Sequence, residues 1–308
     1  MKIFIIGAGA VGKALAVSLY QEGKAVELIR GHLDDGTSYK EKITVELKDG
    51  PTLRAEITVS TLGTHSQLEG IVVLTNKSFG NKVLSEKLES KIGDSPLVLL
   101  QNGLGVEQPF LEKDFPEVFR CVLFMTSQNS GPSTISYKPV APSPIGVIKQ
   151  TKTTLGKIVN ALDSPNFRFM AEKNIQRIIW KKAIANCVFN SICPLLEVDN
   201  GIFHRNKEVL AIAQRVVAEC ALIANKKGID LGTSELEDQV LMISRMSDGQ
   251  LISTLQDINN KRETEIDTLN FEIYRMAHAM NLSNKVKETR LLGELVKLKS
   301  ELHRKNRS

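Results

Sequence analysis

IFIIGAGAVGKALAVSLYQEG, residues 3–23, decides how the first half of the chain is read. An apolar run, Ile3 to Ile6, meets Gly7-Ala8-Gly9-Ala10-Val11-Gly12, which fits GxGxxG. KALAVSLYQEG then reads as a helix closed by Gly23, and AVELI (25–29) as a second strand. Strand, glycine loop, helix and strand in that order are the context this motif requires of a dinucleotide cradle. Gly7 allows the tight turn, Gly9 lets a pyrophosphate approach the backbone, and Gly12 lets the helix pack on the strand. The helix N-terminus offers its unpaired N–H groups to the phosphates. Gly7, Ala8, Gly9, Ala10, Val11 and Gly12 are therefore the expected cofactor loop. A glycine-rich turn without a ligand is the bland alternative for the motif alone.

Outward from this unit the texture continues. IVVLT (71–75) and LVLLQ (97–101) are short and apolar without alternation, as parallel strands covered on both faces are. KITVELKDGPTLRAEITV (42–59) alternates on both sides of Asp49-Gly50, a hairpin signal. VFRCVLFMT (118–126), ISYKP (135–139) and PIGVIK (144–149) read as further strands. From about Ala171 the pattern turns helical. IQRIIWKKAIANCVFNSI (175–192) reads as a helix ending before Pro194, Lys207–Lys227 as one closed by Gly228, and Leu236–Met246 and Arg262–Met280 as two more. The expected fold is an α/β Rossmann-type dinucleotide-binding domain over 1–170, followed by an all-α domain over 171–308.

The end of the second strand carries the choice of nucleotide. An NAD site has Asp or Glu there to grip the ribose hydroxyls. Here the sequence is Glu27-Leu-Ile-Arg30-Gly-His32, and strand alternation turns Glu27 away from that position. Arg30 stands where an adenosine 2′-phosphate would lie, and a guanidinium fork suits a phosphate. NADP(H) is the expected cofactor. An ordinary surface arginine is the alternative. Lys77, just past IVVLT, is a second cation at a strand's carboxyl end, where ligands bind in such sheets. Asn102-Gly103 follows LVLLQ in an equivalent position, although a plain turn explains Asn-Gly equally well.

Composition narrows the class. The chain has 308 residues, 42% apolar and 24% charged, which is ordinary for a globular protein of two domains. No run reaches the ~18 apolar residues of a membrane span, and the first strand is interrupted too soon by glycine to be a signal peptide. No membrane association and a cytoplasmic location are expected. Cys121, Cys187, Cys193 and Cys220 form no CxxC pair and histidine is scarce, so no metal site or disulfide framework is expected. The net charge is +5. From Lys285 onward eight Lys and Arg stand against three Glu, so this tail alone carries the excess. Leu291, Leu295, Leu298 and Leu302 recur on it at helical spacing, the pattern of a docked helix with a solvated basic face rather than a nucleic-acid arm.

One polar row interrupts the helical half. WKKAIANCVFN (180–190) is apolar almost all round, yet Lys182, Asn186 and Asn190 follow one another at four-residue spacing on one face. Burying a lysine and two amides without partners costs several kcal/mol, roughly 2–7 for each amide. A ligand-facing wall explains the row. STLQDINNKRETEID (253–267) is a second polar island, with Ser253 and Glu265 twelve residues apart. A break at Asn259-Asn260 would allow both to face one cleft. Alone, Glu265 reads equally well as a first-turn acid favoured by the helix dipole.

GAGAVG, the QNG turn at 101–103, WKKxxxNxxxN at 180–190 and SxLQD…TEID at 253–267, in this order, resemble the ketopantoate reductase (2-dehydropantoate 2-reductase) family over nearly the whole chain. The resemblance implies NADPH-dependent reduction of a small-molecule 2-oxo acid. It implies Lys182 as general acid and Glu265 as an acid contacting substrate and lysine. Asn102, Asn186, Asn190 and Ser253 would hold the substrate, with Arg30 and Lys77 reading the 2′-phosphate. Three positions depart from the family pattern: Gln250 where Asn is usual, Asn270-Phe271 where Asn-Gly is usual, and LSNKVKE (282–288), which lacks a usual proline. These keep another 2-oxo acid open as the substrate. A dehydrogenase of polyol phosphates would need more cations than the one in the polar row. A non-catalytic NADP(H) sensor would have no use for the row. The amphipathic faces of the helical half allow a homodimer.

Overall fold

The computed structural model describes residues 1–31 and 33–305; His32, next to the end of the second strand, and residues 306–308 of the basic tail lie outside the described residues. The chain divides into two compact units, residues 1–101 with 106–175 and residues 102–105 with 176–308.

The first unit contains β1 (Ile3–Ile6), α1 (Ala10–Gln21), β2 (Val26–Arg30), β3 (Tyr39–Leu47), β4 (Thr52–Thr61), β5 (Ile71–Leu74), α2 (Asn81–Glu89) and β6 (Leu97–Leu99). It continues with α3 (Gln108–Glu112), β7 (Val118–Cys121), β8 (Met125–Asn129), β9 (Thr134–Pro139), β10 (Ser143–Lys149), α4 (Leu155–Leu162) and β11 (Phe169–Ala171). The strands form one sheet in the order β11-β10-β7-β6-β5-β1-β2-β4-β3-β9-β8. From β7 to β4 every neighbouring pair is parallel. Taken in chain order, those six strands lie 3-2-1-4-5-6, the doubly wound arrangement of dinucleotide-binding sheets.

Strand alternation builds two cores from one sheet. Ile3, Ile5, Ile71 and Val73 point to the face covered by Leu15 and Leu19 of α1. Phe4, Ile6, Val72 and Leu74 point to the other, against Leu84 and Leu88 of α2 and Phe110 of α3. Each such side chain stabilises the fold by about 1.5–3 kcal/mol when fully buried. The hairpin expected at Asp49-Gly50 forms, with Asp49 at φ 65° and β3 antiparallel to β4. VFRCVLFMT does not form one strand. The chain leaves the ladder after Cys121, because β7 pairs with β6 and β10 whereas β8 pairs with β9 at the sheet's opposite end.

The second unit is helical: α5 (Ile175–Leu196), whose first residue belongs to the first unit, then α6 (Ile202–Arg205), α7 (Lys207–Lys226), α8 (Thr233–Met246), α9 (Ser253–Asn259), α10 (Asn270–Ala279) and α11 (Lys287–Lys305). Three expectations are corrected. α5 continues through Pro194 into its last turn, although proline removes the hydrogen bond that its N–H would give to the carbonyl four residues back. The helix expected from Arg262 starts only at Asn270, after a single 3-10 turn over Ile266–Thr268. The tail docks, but not by its leucines. Thr289, Gly293, Val296 and Ser300 are the buried face of α11, while Leu291, Leu295, Leu298 and Leu302 are 55%, 42%, 55% and 60% exposed. Small residues win that face because α11 lies close to α10: a Cβ on Gly293 would stand 3.0 Å from the Asn270 Cβ.

Candidate dinucleotide and substrate sites

The glycine loop lies at the carboxyl end of β1, beside β5, where the strand order reverses. Such a switch point leaves a crevice for a ligand. Gly7 has φ 122°, and its N–H donates to Ile29 O at 2.8 Å. Thr75 Oγ1 donates to Gly7 O at 2.8 Å and pins the turn from the β5 side. Added Cβ atoms separate the glycines by role. One on Gly7 would meet Asn76 N at 2.5 Å, and one on Gly12 would collide with Gly7 O and come within 2.7 Å of Thr75 Oγ1. One on Gly9 would meet nothing within 4 Å. Gly7 and Gly12 are thus required by the protein's own packing, whereas Gly9 faces open space. No side chain caps the N-terminus of α1 and its first turn holds no acid. Positive helix-end dipole and backbone N–H groups are therefore available to an anion. A pyrophosphate fits these residues.

Around the loop, Lys77 is exposed just beyond β5, before the 3-10 turn Ser78–Gly80. Arg30 ends β2, as expected, and has partners that the sequence did not reveal. Its Nη2 donates to Asp35 Oδ1 at 2.6 Å and also to Thr37 Oγ1. Its guanidinium lies 5.7 Å from the Tyr39 ring. Glu27, three residues earlier on β2, is buried against Lys2, Ser60 and His65. Burial pushes its carboxyl up, but those partners prevail and hold it below the usual range. It is a structural acid.

Thr75 and Gln101 were missed by sequence reasoning. Both sit directly after an apolar strand, which was the available signal. Gln101 and Asn81 exchange amide hydrogen bonds of 2.8 Å each way, and Gln101 Nε2 also donates to Asn76 O at 2.9 Å. The backbone leading into Asn102 is therefore fixed.

In the helical unit, Lys182 and Asn186 on α5 are half-buried and Asn190 is 3% exposed. Asn190 Oδ1 accepts from Thr254 N and Ser253 Oγ, both at 3.4 Å, so the start of α9 is seated on the polar row. The expected break falls where Asn259-Asn260 predicts it, with Lys261 at φ 55°. The chain then turns back to Glu265, which is half-buried and precedes the 3-10 turn; Thr268 N and Oγ1 both donate to Glu265 O at 3.1 Å. Residues 102–105 belong to this same unit. Leu104 N donates to Thr268 O at 2.8 Å, and Gly103 has φ 102° with room for no Cβ, which would stand 2.5 Å from Thr268 Oγ1. The loop carrying Asn102 thus rests on the turn that carries Glu265.

The two adjacent lysines separate. Lys181 Nζ donates to Glu235 Oε1 at 2.7 Å, and Arg177 binds the same carboxylate through both its terminal nitrogens. Arg177 first, then Lys181, holds the Glu235 carboxyl down at about 2. Lys182, about 100° round the helix, shares its face with Asn186 and Asn190. Burial pushes the Cys193 thiol up to about 12 and the Cys187 thiol upward too, so neither is a thiolate beside the row. Among the described residues, no group of His, Cys, Asp and Glu could hold a metal ion, and no helix is long and apolar enough to cross a membrane.

A doubly wound sheet with a glycine turn at its switch point, followed by a helical unit bearing a lysine–amide row, is the plan of a two-unit dinucleotide-binding protein. Residues 3–149 match the family model for ketopantoate reductase PanE/ApbA, and residues 174–300 match that for its C-terminal part. The chain belongs to the ketopantoate reductase PanE/ApbA family. The 2-dehydropantoate 2-reductase of Pyrococcus abyssi is 29% identical over 310 residues, covering 99% of this chain and all of that one. Among solved structures, a PanE/ApbA family ketopantoate reductase from Ralstonia eutropha superposes with a TM-score of 0.86 at 22% identity, covering 98% of this chain and 99% of that one. The dimeric ketopantoate reductase of Staphylococcus aureus gives 0.80 at 21%, covering 98% and 100%. D-mandelate dehydrogenase, solved with NADH and anilino(oxo)acetate, gives 0.83 at 22%, covering 98% and 99%.

Proposed function

We propose that this protein is an NADPH-dependent 2-dehydropantoate 2-reductase, converting ketopantoate to pantoate for pantothenate and coenzyme A synthesis in the cytoplasm. The division of labour would be cofactor binding by residues 1–170 and substrate binding and catalysis by 171–308, with Asn102 serving the substrate. The observation that carries the reading is the polar row Lys182, Asn186 and Asn190 on one face of α5, with Asn190 seated against the start of α9.

When bound, NADPH supplies the hydride that reduces the C2 carbonyl carbon. Gly7 to Gly12 would hold the pyrophosphate, and Arg30 and Lys77 the 2′-phosphate. As negative charge builds on the carbonyl oxygen, the Lys182 ammonium stabilises it and then gives it a proton. Glu265 is the acid we assign to contact the substrate and this lysine. Asn102, Asn186, Asn190 and Ser253 orient the substrate's carboxylate and hydroxyl. The Asn190 oxygen is engaged with α9, so its amide nitrogen is the donor we assign to the substrate.

NADPH consumption with ketopantoate and a panel of other 2-oxo acids tests the proposal. Lys182→Ala is expected to lose at least ~10²-fold in kcat, the contribution of a general acid. Near-normal turnover by that variant would remove Lys182 from the mechanism. Reduction of another 2-oxo acid in preference to ketopantoate is the second reading, favoured by the fold shared with D-mandelate dehydrogenase and by the departures at Gln250 and Phe271. Absence of turnover with every acid would instead favour a nucleotide sensor. A homodimer is the assembly we propose, with the exposed leucines of α11 as the surface it covers.

A further inference from the structure

The cation expected to read a 2′-phosphate holds an anion of the protein's own. Three donors converge on Asp35 Oδ1: Arg30 Nη2 at 2.6 Å, the Thr37 hydroxyl at 2.7 Å and the Thr37 backbone N–H at 3.0 Å. Arg30 is the more enclosed partner, 15% exposed against 39% for Asp35. Its buried Nε has no hydrogen-bond partner. The guanidinium is further fixed beside the Tyr39 ring. A guanidinium, a hydroxyl and an N–H aimed at one oxygen are the donor set that also suits a phosphate monoester.

Asp34, the preceding residue, is used differently. Its Oδ1 accepts from Gly63 N at 2.7 Å, and Lys87 approaches its Oδ2 at 3.9 Å. The segment after β2 therefore holds two carboxylates, and only Asp35 sits on the arginine.

We propose that Asp35 is an internal occupant of the 2′-phosphate seat and a determinant of nucleotide preference. This rests on the reading of Arg30 as the 2′-phosphate reader. A phosphate monoester carries about −1.5 to −2 at neutral pH. NADPH must displace the Asp35 carboxylate from Arg30 and Thr37, then bear its repulsion nearby. NADH brings a hydroxyl there, displaces nothing, and meets an Arg30 that is already neutralised. Exposed ion pairs of this kind are weak enough to exchange. The preference for NADPH that Arg30 confers is accordingly reduced by Asp35.

Titration of both nucleotides into wild type, Asp35→Asn, Asp35→Ser, Arg30→Ala and the double variant Arg30→Ala/Asp35→Asn reads the dissociation constants without turnover. In both Asp35 variants the ratio of the NADH to the NADPH constant should rise by at least about threefold, as removal of one surface charge permits. The rise should come from tighter NADPH and shrink at high salt. In the Arg30→Ala background the Asp35 substitution should favour NADPH less than it does in wild type, because only the direct repulsion of the phosphate is then removed. An unchanged ratio in both Asp35 variants, or one that moves toward NADH, overturns the proposal, provided Arg30→Ala selectively weakens NADPH. If Arg30→Ala weakens both nucleotides equally, the reading of Arg30 fails and this proposal fails with it. Thermal melts of each variant establish that a null result comes from folded protein.

Discussion

Two glycines three residues apart in the cofactor loop are constrained by different things. Gly12 is held by the protein itself, since a methyl there would collide with Gly7 O and crowd Thr75. Gly12→Ala should destabilise the fold by about 1–3 kcal/mol, the range for overpacking a tight contact. Gly9 has no neighbour within 4 Å of an added Cβ. Gly9→Ala should therefore melt within a degree or so of wild type yet bind dinucleotide at least about tenfold more weakly, if a pyrophosphate lies against that backbone. A Gly9→Ala variant that binds normally would argue against a nucleotide on this loop. The same scale separates the lysines. Lys181 is tied to Glu235, so Lys181→Ala should keep kcat within about twofold of wild type, as a surface ion pair of this kind allows. Arg30 was legible because it ends a strand of obvious pattern. Asp35 was not, because it lies in a segment without periodicity, and only its three-dimensional return to Arg30 gives it meaning.

At the level of elements, the Glu235 carboxylate clamps α8 to α5 through Arg177 and Lys181. It also lies in the first turn of α8, where the helix dipole favours an acid. Its folded pKa is about 2, against an ordinary 4.5. A depressed carboxylate contributes stability that is fully present above 4.5 and is lost as pH falls toward 2. Urea midpoints should accordingly place wild type above Glu235→Gln near pH 7, with the gap narrowing by about pH 3. A gap that stays constant across that range would mean the clamp acts by packing and not by charge. Strands of the doubly wound sheet were readable from the sequence, because burial on both faces leaves unbroken apolar runs. The stretch from Arg262 to Leu269 was not. Its helix-forming residues are overruled by the return of the chain at Lys261, φ 55°, and by the seating of residues 102–105 on Thr268. That long-range contact also brings Asn102 beside the Glu265 turn, a juxtaposition that spacing could not predict.

For the molecule as a whole, the order of textures, sheet then helices, was legible from apolar patterning. The outward face of the last helix was not, because hydropathy and packing disagree on it. α11 buries Thr289, Gly293, Val296 and Ser300 and presents Leu291, Leu295, Leu298 and Leu302 on the opposite side. A helix normally buries its largest apolar side chains, and a continuous exposed row of them marks a surface that another body covers. In a homodimer with two-fold symmetry the same row would meet its own copy, each leucine shielded by the partner helix. Basic residues flank the row. Arg290 is paired with Glu294 and stacked on Tyr274, and Lys297 is paired with Asp267 over Phe271, so their charge is partly neutralised before any such contact. Sedimentation of the wild-type chain should give twice its mass of 34.1 kDa. Leu295→Glu with Leu298→Glu should return it to a single chain with little loss of thermal stability beyond that of dissociation, since neither side chain is buried in one copy. A wild-type mass of one chain at every concentration tested would leave the leucine row without this partner, and a dimer that survives both substitutions would place the interface elsewhere.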